Sequence, residues 1–186
     1  LGSLREMVEK YYLTYEQHHE LKSYCDEISI DFASSPFTNE EVDLLVDLDV
    51  PFIKIASMDI VYEPLLKKAA KSRKPVIIST GMATVGEIDR AINILKNEGC
   101  DQIALLHCIS IYPPKNEDIR LLNIRMLADT FDLPIGLSDH SFGAEIPLAS
   151  VALGSRIIEK HFTTDKNLPG WDHEISADPD ELLQIC

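Results

Sequence analysis

The segment Ile135-Gly136-Leu137-Ser138-Asp139-His140 decides the fold, because an apolar run of strand length ends there in polar residues. Residues 156–162, which contain Glu159-Lys160-His161, repeat this arrangement one helix length further along the chain. Short apolar runs between turn residues are typical of buried strands in a parallel sheet. The two segments therefore predict neighbouring strands whose last side chains meet at one edge.

Six segments of strand length occur along the chain, and their starts lie 21 to 32 residues apart. That spacing leaves room for one helix between neighbouring strands and suits right-handed βαβ crossovers. The sequence therefore predicts an α/β fold with a parallel sheet. The predicted strands are 30–35, 52–57, 76–80, 103–108, 135–139 and 156–162.

Four helix starts are marked by capping boxes, in which a hydroxyl or carboxylate is followed three residues later by Glu or Gln. The cap residues are Thr14, Thr38, Thr84 and Asp178. Behind the second and third boxes, apolar residues at helical spacing predict one buried face per helix. These residues are Leu44, Leu45 and Leu48, then Ile88, Ala91, Ile92 and Leu95.

Composition limits the classes of partner. The 186 residues are 45% hydrophobic and 26% charged, which is typical of a globular domain. A formal charge of -14 argues against nucleic acid and against an anionic membrane surface as partners. The four cysteines show no CxxC spacing, and neither a membrane span nor a signal peptide is recognisable. We expect a soluble, cytoplasmic protein that binds small molecules.

Polar side chains close almost every predicted strand. In parallel βα folds the carboxyl ends of the strands converge on one face, so these side chains should meet in space. Any single serine could equally cap a helix or bond a loop amide, but six strand ends together predict an active site. The residues are Ser34, Ser35, Lys54, Ser57, Ser79, Thr80, His107, Cys108, Ser110, Ser138, Asp139, His140, Glu159, Lys160 and His161.

Two lysines, Lys54 and Lys160, lie beside isoleucines in predicted strands. Burying an ammonium group in such surroundings costs free energy unless an anion meets it. Either an anionic substrate or an internal salt bridge would satisfy each lysine, and the sequence leaves both open.

Two histidines, His140 and His161, end adjacent predicted strands. Two neutral imidazoles suit a divalent transition metal, and Asp139 or Glu159 could orient them. A lone histidine is more often a satisfied core residue, so a metal role and a core role stay equally open on the residues alone. Of the other histidines, we expect His18 and His19 on a solvated helix surface, His107 in the core and His173 in contact with a sugar.

The strand-end residues belong to longer motifs, and one further motif follows the last predicted strand. The motifs are Phe32-Ala33-Ser34-Ser35-Pro36-Phe37, Lys54-Ile55-Ala56-Ser57, Ile78-Ser79-Thr80-Gly81-Met82, Leu106-His107-Cys108 with Tyr112-Pro113, Gly136-Leu137-Ser138-Asp139-His140, Glu159-Lys160-His161-Phe162-Thr163 and Pro169-Gly170-Trp171-Asp172-His173. In their order and spacing these motifs resemble those of the sialic acid synthase family. The resemblance runs through essentially the whole chain, and it is specific because motifs of four to six residues agree jointly.

The resemblance implies a (β/α)₈ TIM barrel that condenses phosphoenolpyruvate with N-acetylmannosamine or a related amino sugar. The products would be a nine-carbon 2-keto acid and phosphate, and the enzyme would be a transferase. A divalent metal, Mn²⁺ or Mg²⁺, would assist. Legionaminic and pseudaminic acid synthases are related alternatives, since the sequence does not fix the acceptor sugar.

Positions carried over from the family define the expected site residues. The metal ligands would be His140 and His161, which would act in catalysis together with Lys54 and Asp172. The residues expected to bind phosphoenolpyruvate are Lys54, Ser57, Ser79 and Ser138, with Ser35 added where the family often has threonine. The residues expected to meet the sugar are Tyr112 and Asp172.

The chain also departs from the family pattern. Some members carry an asparagine where Ser110 would contact phosphoenolpyruvate, and a serine reaches less far. Trp171 is not the residue expected in its loop, and its ring could pack on the acyl group of the sugar. The extent of the chain is a further departure.

Six βα units cannot close an eight-stranded barrel, which takes about 250 residues. We therefore expect residues 1–186 to form strands 3 to 8 of the catalytic domain, without the first two strands and the C-terminal antifreeze-like domain. A homodimer is expected at full length.

Two other kinds of function remain open on the sequence. A metal-dependent TIM-barrel hydrolase would use the two histidines to hold a metal that activates water. A catalytically silent scaffold or sugar-binding module is also compatible, because a fold does not by itself imply a function.

Overall fold

The computed structural model describes residues 4–170 and 172–186. A five-stranded parallel sheet runs through it in sequence order, so that each strand pairs with the next one along the chain. This order, with a helix between successive strands, is that of an α/β half-barrel and confirms the predicted fold class as part of a TIM barrel. The strands are β1 (Ile53–Ile55), β2 (Val76–Ser79), β3 (Ile103–Cys108), β4 (Ile135–Asp139) and β5 (Ile158–Lys160).

Eight α-helices surround the sheet in the described part of the chain, together with short 3₁₀ turns at Ser57–Asp59 and Asn116–Asp118. The helices are α1 (Leu4–Tyr11), α2 (Tyr15–Glu27), α3 (Asn39–Asp47), α4 (Glu63–Lys71), α5 (Val85–Asn97), α6 (Asn123–Phe131), α7 (Glu145–Ala152) and α8 (Pro179–Ile185).

None of the helices described here combines the length and the apolar character needed to cross a bilayer.

All four predicted capping boxes are present. In each, the cap side chain accepts a hydrogen bond from the backbone N–H three residues later, and the Glu or Gln there accepts one from the cap residue's own N–H. These bonds satisfy N–H groups that have no partner within a helix. The caps therefore fix the starts of α2, α3, α5 and α8.

The hydrophobic core lies between the sheet and the helices α3, α4 and α5. The predicted apolar faces of α3 and α5 are buried, including Leu45 and Leu95. Helix α4 adds Leu65 and Leu66, which are fully buried. Because this layer covers one side of β1 to β3, the strand ends are held on a rigid support.

The first predicted strand, 30–35, is wrong as a strand. Residues 30–35 form no regular element, and none of the described strands pairs with them. Ile30 is 59% exposed, while Phe32 packs on the core. An apolar run becomes a strand only where a neighbour supplies ladder hydrogen bonds, and the described sheet begins at β1. The predicted strands 52–57 and 156–162 shorten to the three residues of β1 and of β5.

The buried face of α5 predicts a stability difference between two leucines. Replacing Leu95, which is fully buried, by alanine should lower the free energy of unfolding by about 2–5 kcal/mol, because it removes packed methyl groups and leaves a cavity. Replacing Leu183, which is 78% exposed, should change it by less than about 0.5 kcal/mol. Urea unfolding followed by circular dichroism measures both. Equal losses would contradict the described core.

Candidate active site

A cavity of about 440 Å³ opens at the carboxyl ends of the strands. Its walls come from all five strands and from the loops that follow them, as expected when parallel strands converge. Every predicted substrate-binding residue except Asp172 lines it, together with both predicted metal ligands. The structure therefore brings together Ser35, Lys54, Ser57, Ser79, Ser110, Tyr112, Ser138, His140 and His161.

Lys54 projects from β1 into this cavity with a side chain that is 10% exposed. Its Nζ donates hydrogen bonds to Ser79 Oγ at 2.8 Å and to the Ile55 carbonyl at 3.3 Å. Glu159 Oε2 lies 3.3 Å from the same nitrogen. The internal salt bridge considered from the sequence is therefore present at Lys54.

Glu159 links this lysine to the serines around it. Its Oε1 accepts a hydrogen bond of 2.6 Å from Ser138 Oγ, and Ser138 and Glu159 are register partners in β4 and β5. The Glu159 carboxylate thus pairs with Lys54 and accepts a hydrogen bond from Ser138, and among the described residues it does not bond to an imidazole. Glu159 was expected at the rim and as a partner for the histidines, whereas its contact with Lys54 follows from the arrangement of the strands in the sheet.

The loop after β2 approaches two of the serines closely. The Gly81 N–H donates to Ser57 Oγ at 3.0 Å. A Cβ atom at Gly81 would lie closer than 3.0 Å to the hydroxyls of both Ser57 and Ser110. Only glycine fits this position without displacing them. Ser110 itself lies 3.9 Å from the Cys108 sulfur across the same wall.

His140 and His161 lie side by side in the cavity wall, with ring centroids 5.3 Å apart. The Nδ1 atom of His140 is 2.9 Å from the Ile109 carbonyl, and the Cys108 thiol also contacts this imidazole. Tyr112 stacks on His140 at 3.9 Å and meets His161 edge-on at 5.8 Å. Asp172 Oδ2 lies 3.8 Å from His161 Nδ1, which brings this predicted residue to the rim.

Burial acts on the pKa of both imidazoles, with different outcomes. For His161, burial lowers the pKa, and the nearby Asp172 carboxylate offsets this only in part. For His140, burial also lowers the pKa, but the Cys108 thiol and the Ile109 carbonyl outweigh it and raise the pKa above its ordinary value. His161 is therefore the more readily available neutral ligand of the two.

Few side chains at this site can bind a metal ion. Two imidazoles face one space, but no group of three His, Cys, Asp or Glu side chains within residues 4–170 and 172–186 is arranged to hold a metal. Imidazole nitrogen suits a transition metal, whereas Mg²⁺ prefers oxygen ligands. The residues fit a divalent ion with two protein ligands, and substrate or water oxygens would have to complete its coordination.

Lys160 and Asp139 also line the cavity but are bonded to each other. Their side chains form an ion pair of 2.6 Å and are 4% and 1% exposed. The internal salt bridge is thus present for Lys160 as well. Asp139, considered from the sequence as a partner for His140, turns to Lys160 and Ser141 instead.

The remaining histidines do not line this cavity. His107 is a core residue whose Nε2 is 2.5 Å from the Ile119 carbonyl, and burial lowers its pKa. His173 is 2.8 Å from Thr163 Oγ1 and lines a smaller neighbouring cavity of about 290 Å³ together with Asp172. His19 pairs with Asp47 at 3.3 Å on the surface.

Trp171, which the sequence suggested as a ring that packs on the acyl group of the sugar, lies outside the described residues.

Cys108 was expected at the rim as a strand-end residue, but the absence of CxxC spacing gave no reason to expect a role for its thiol. Its thiol lines the cavity and is 5% exposed. Burial raises the pKa of Cys108, but contacts with His140 and with the Ser57 and Ser138 hydroxyls outweigh it and lower the pKa overall. The position directly after His107 at the end of β3 was the only available hint.

Comparison with known proteins agrees with this geometry. The chain is 45% identical to N,N'-diacetyllegionaminic acid synthase of Campylobacter jejuni over 183 residues, which are 97% of this chain and 55% of that protein. It is 42% identical to N-acetylneuraminate-9-phosphate synthase of Drosophila melanogaster, covering 91% of this chain and 46% of that protein. The chain thus spans about half the length of these relatives.

A solved structure matches as well. The N-acetylneuraminic acid synthetase of Leptospira borgpetersenii superposes with a TM-score of 0.94 at 40% identity, covering 100% of this chain and 66% of that one. The model of the NeuB family matches residues 2–186. The resemblance inferred from the motifs is therefore confirmed, and the chain belongs to the NeuB family of sialic, legionaminic and pseudaminic acid synthases.

Proposed function

We propose that this chain carries the catalytic site of a transferase that condenses phosphoenolpyruvate with an N-acylated amino sugar and releases phosphate. One observation carries the proposal. A lysine with three serine hydroxyls and a pair of imidazoles line one cavity. The first group suits a small anion, and the second suits a metal that activates a carbonyl.

Phosphoenolpyruvate is assigned to the Lys54 end. The ammonium group and the hydroxyls of Ser57, Ser79 and Ser138 offer charge-assisted hydrogen bonds to a carboxylate and a phosphate. In the free protein Glu159 occupies this position as an internal anion, 3.3 Å from Lys54. Substrate binding must therefore displace Glu159 from Lys54 and Ser138.

The sugar is assigned to the histidine end. A divalent metal held by His140 and His161 would supply Lewis-acid polarisation of the aldehyde oxygen, and the imidazole donors favour manganese over magnesium. Tyr112 stacks on His140 and limits where a sugar can lie. Asp172, 3.8 Å from His161, is placed to orient a sugar hydroxyl or the aldehyde itself.

The two ends of the cavity determine the course of the reaction. Lys54 and the serines fix phosphoenolpyruvate so that its methylene carbon faces the aldehyde carbon, and this orientation supplies much of the rate. The electron pair of the C=C bond forms the new C–C bond, and the aldehyde π electrons move to its oxygen, which is protonated to a hydroxyl. Water adds to the cationic C2 and gives up a proton, so that the proton balance with the aldehyde oxygen is closed. The C2 hydroxyl then loses its proton as the C2–O bond to phosphate breaks, which leaves the 2-keto acid and inorganic phosphate, and Lys54 stabilises the departing charge.

The acceptor sugar is proposed from the relatives. One acts as a diacetyllegionaminic acid synthase and another as an N-acetylneuraminate-9-phosphate synthase. The candidates are therefore N-acetylmannosamine, its 6-phosphate and a 2,4-diacetamido sugar. Incubating the full-length protein with phosphoenolpyruvate, Mn²⁺ and each sugar in turn, and assaying phosphate and keto acid together, tests the proposal. Hydrolysis of phosphoenolpyruvate without any keto-sugar product would indicate a hydrolase instead.

Replacing His140 by alanine should abolish metal-dependent turnover, because only one imidazole would remain to hold the ion. We expect the keto-acid rate of the full-length protein to fall by at least about 10²-fold, with bound Mn²⁺ lost in parallel. The control is His19→Ala, since His19 pairs with Asp47 on the surface. Unchanged turnover and metal content in the His140 variant would refute the assignment.

Replacing Glu159 by glutamine should tighten the binding of phosphoenolpyruvate, because the substrate then no longer has to displace a carboxylate from Lys54. An ion pair of this exposure is worth roughly 1 kcal/mol, so we expect the dissociation constant to fall about fivefold. Calorimetric titration in the absence of sugar measures it. Glu181→Gln, which removes the carboxylate paired with Lys166 at 2.6 Å, should have no effect. Weaker binding in the Glu159 variant would show that this carboxylate assists the substrate.

A further inference from the structure

The ion pair between Asp139 and Lys160 lies directly behind the two histidines. Asp139 immediately precedes His140 in the chain, and Lys160 immediately precedes His161. The two charged groups are 2.6 Å apart, and their side chains are almost completely buried. None of the roles proposed above uses this pair.

The pair occupies a special position in the sheet. Asp139 and Lys160 are register partners, and they are also the last residues of β4 and β5. Both histidines therefore leave the sheet directly after this position. A side-chain link here limits how far the two strand ends can separate.

Ser141 closes the link on the other side of His140. Lys160 Nζ donates to the Ser141 carbonyl at 2.6 Å as well as to Asp139. The Ser141 N–H and hydroxyl donate to the Asp139 carboxylate at 3.1 and 2.9 Å. The backbone of His140 is thus held between two residues that are both bonded to Lys160.

Stability alone is a weak reason for such a pair. Two charges taken out of water contribute little net free energy compared with well-packed apolar residues of similar size. What the pair does fix is the geometry of the groups attached to it. The groups attached directly to it are the two imidazoles, whose ring centroids are 5.3 Å apart.

We propose that Asp139 and Lys160 are positioning residues that hold His140 and His161 at the separation that one shared divalent cation requires. This inference rests on the proposed function, because it takes the two histidines as the protein ligands of the ion. Without the link, the strand ends can move apart and the two imidazoles no longer bind the same ion together.

Mn²⁺ binding to the full-length protein, followed through the electron paramagnetic resonance signal of the free ion, tests the proposal. We expect Lys160→Met and Asp139→Asn to weaken Mn²⁺ binding by about 10–100-fold, while the affinity for phosphoenolpyruvate stays unchanged. Lys166→Met, which breaks the half-buried pair with Glu181 at 2.6 Å away from the cavity, is the matched control and should bind Mn²⁺ normally.

The double variant Asp139→Asn with Lys160→Met separates positioning from general stability. It leaves no unpaired buried charge, so its thermal unfolding midpoint should recover toward that of the parent protein. Its Mn²⁺ affinity should stay low, because the link between the strands is still missing. Recovery of Mn²⁺ affinity together with the unfolding midpoint would overturn the proposal, as would parental Mn²⁺ affinity in both single variants.

The variants His140→Ala and His161→Ala distinguish this inference from the proposed function. If they lose Mn²⁺ while the Asp139 and Lys160 variants keep it, the positioning role is wrong and the metal site stands. If the histidine variants bind Mn²⁺ as the parent does, the metal site is wrong and the positioning role falls with it.

Discussion

The site depends on the parallel hydrogen-bonded ladder that joins the five strands in sequence order. A parallel ladder gives all its strands the same direction, so their carboxyl ends form one rim. Residues as distant in sequence as Lys54 and Glu159 thereby come within 3.3 Å of each other. The helices, their caps and the apolar core support this rim but contribute few of the groups that line the cavity.

The charged side chains that line the cavity are balanced, two lysines against two carboxylates, unlike those of the whole chain. A protein with a formal charge of -14 repels anions at long range, yet its cavity holds a nearly buried lysine. Glu159 reconciles the two, since it pairs with Lys54 at 3.3 Å and is itself 42% exposed.

The sequence predicted much of this arrangement, for identifiable reasons. Capping boxes are local, so Thr84 and Asp178 marked helix starts without any knowledge of the fold. Strands with polar ends predicted most of the side chains that share the cavity, because the carboxyl ends of parallel strands converge, but Thr80 and His107 contact backbone carbonyls instead of lining it. Segment 30–35 was mistaken for a strand because a strand needs a neighbour, and neighbours are not encoded in the segment itself.

The two lysines show where sequence reasoning ended. Lys54 and Lys160 gave the same signal, an ammonium group beside isoleucines, yet their partners differ. Lys54 faces a partner that is exposed enough to be displaced, whereas Lys160 is bonded to Asp139, whose side chain is 1% exposed. The difference arises from one step in register, since Ser138 pairs with Glu159 and Asp139 with Lys160. Consecutive residues of β5 thus have different partners, since Glu159 pairs with Lys54 of β1 and Ser138 of β4, whereas Lys160 pairs with Asp139 of β4.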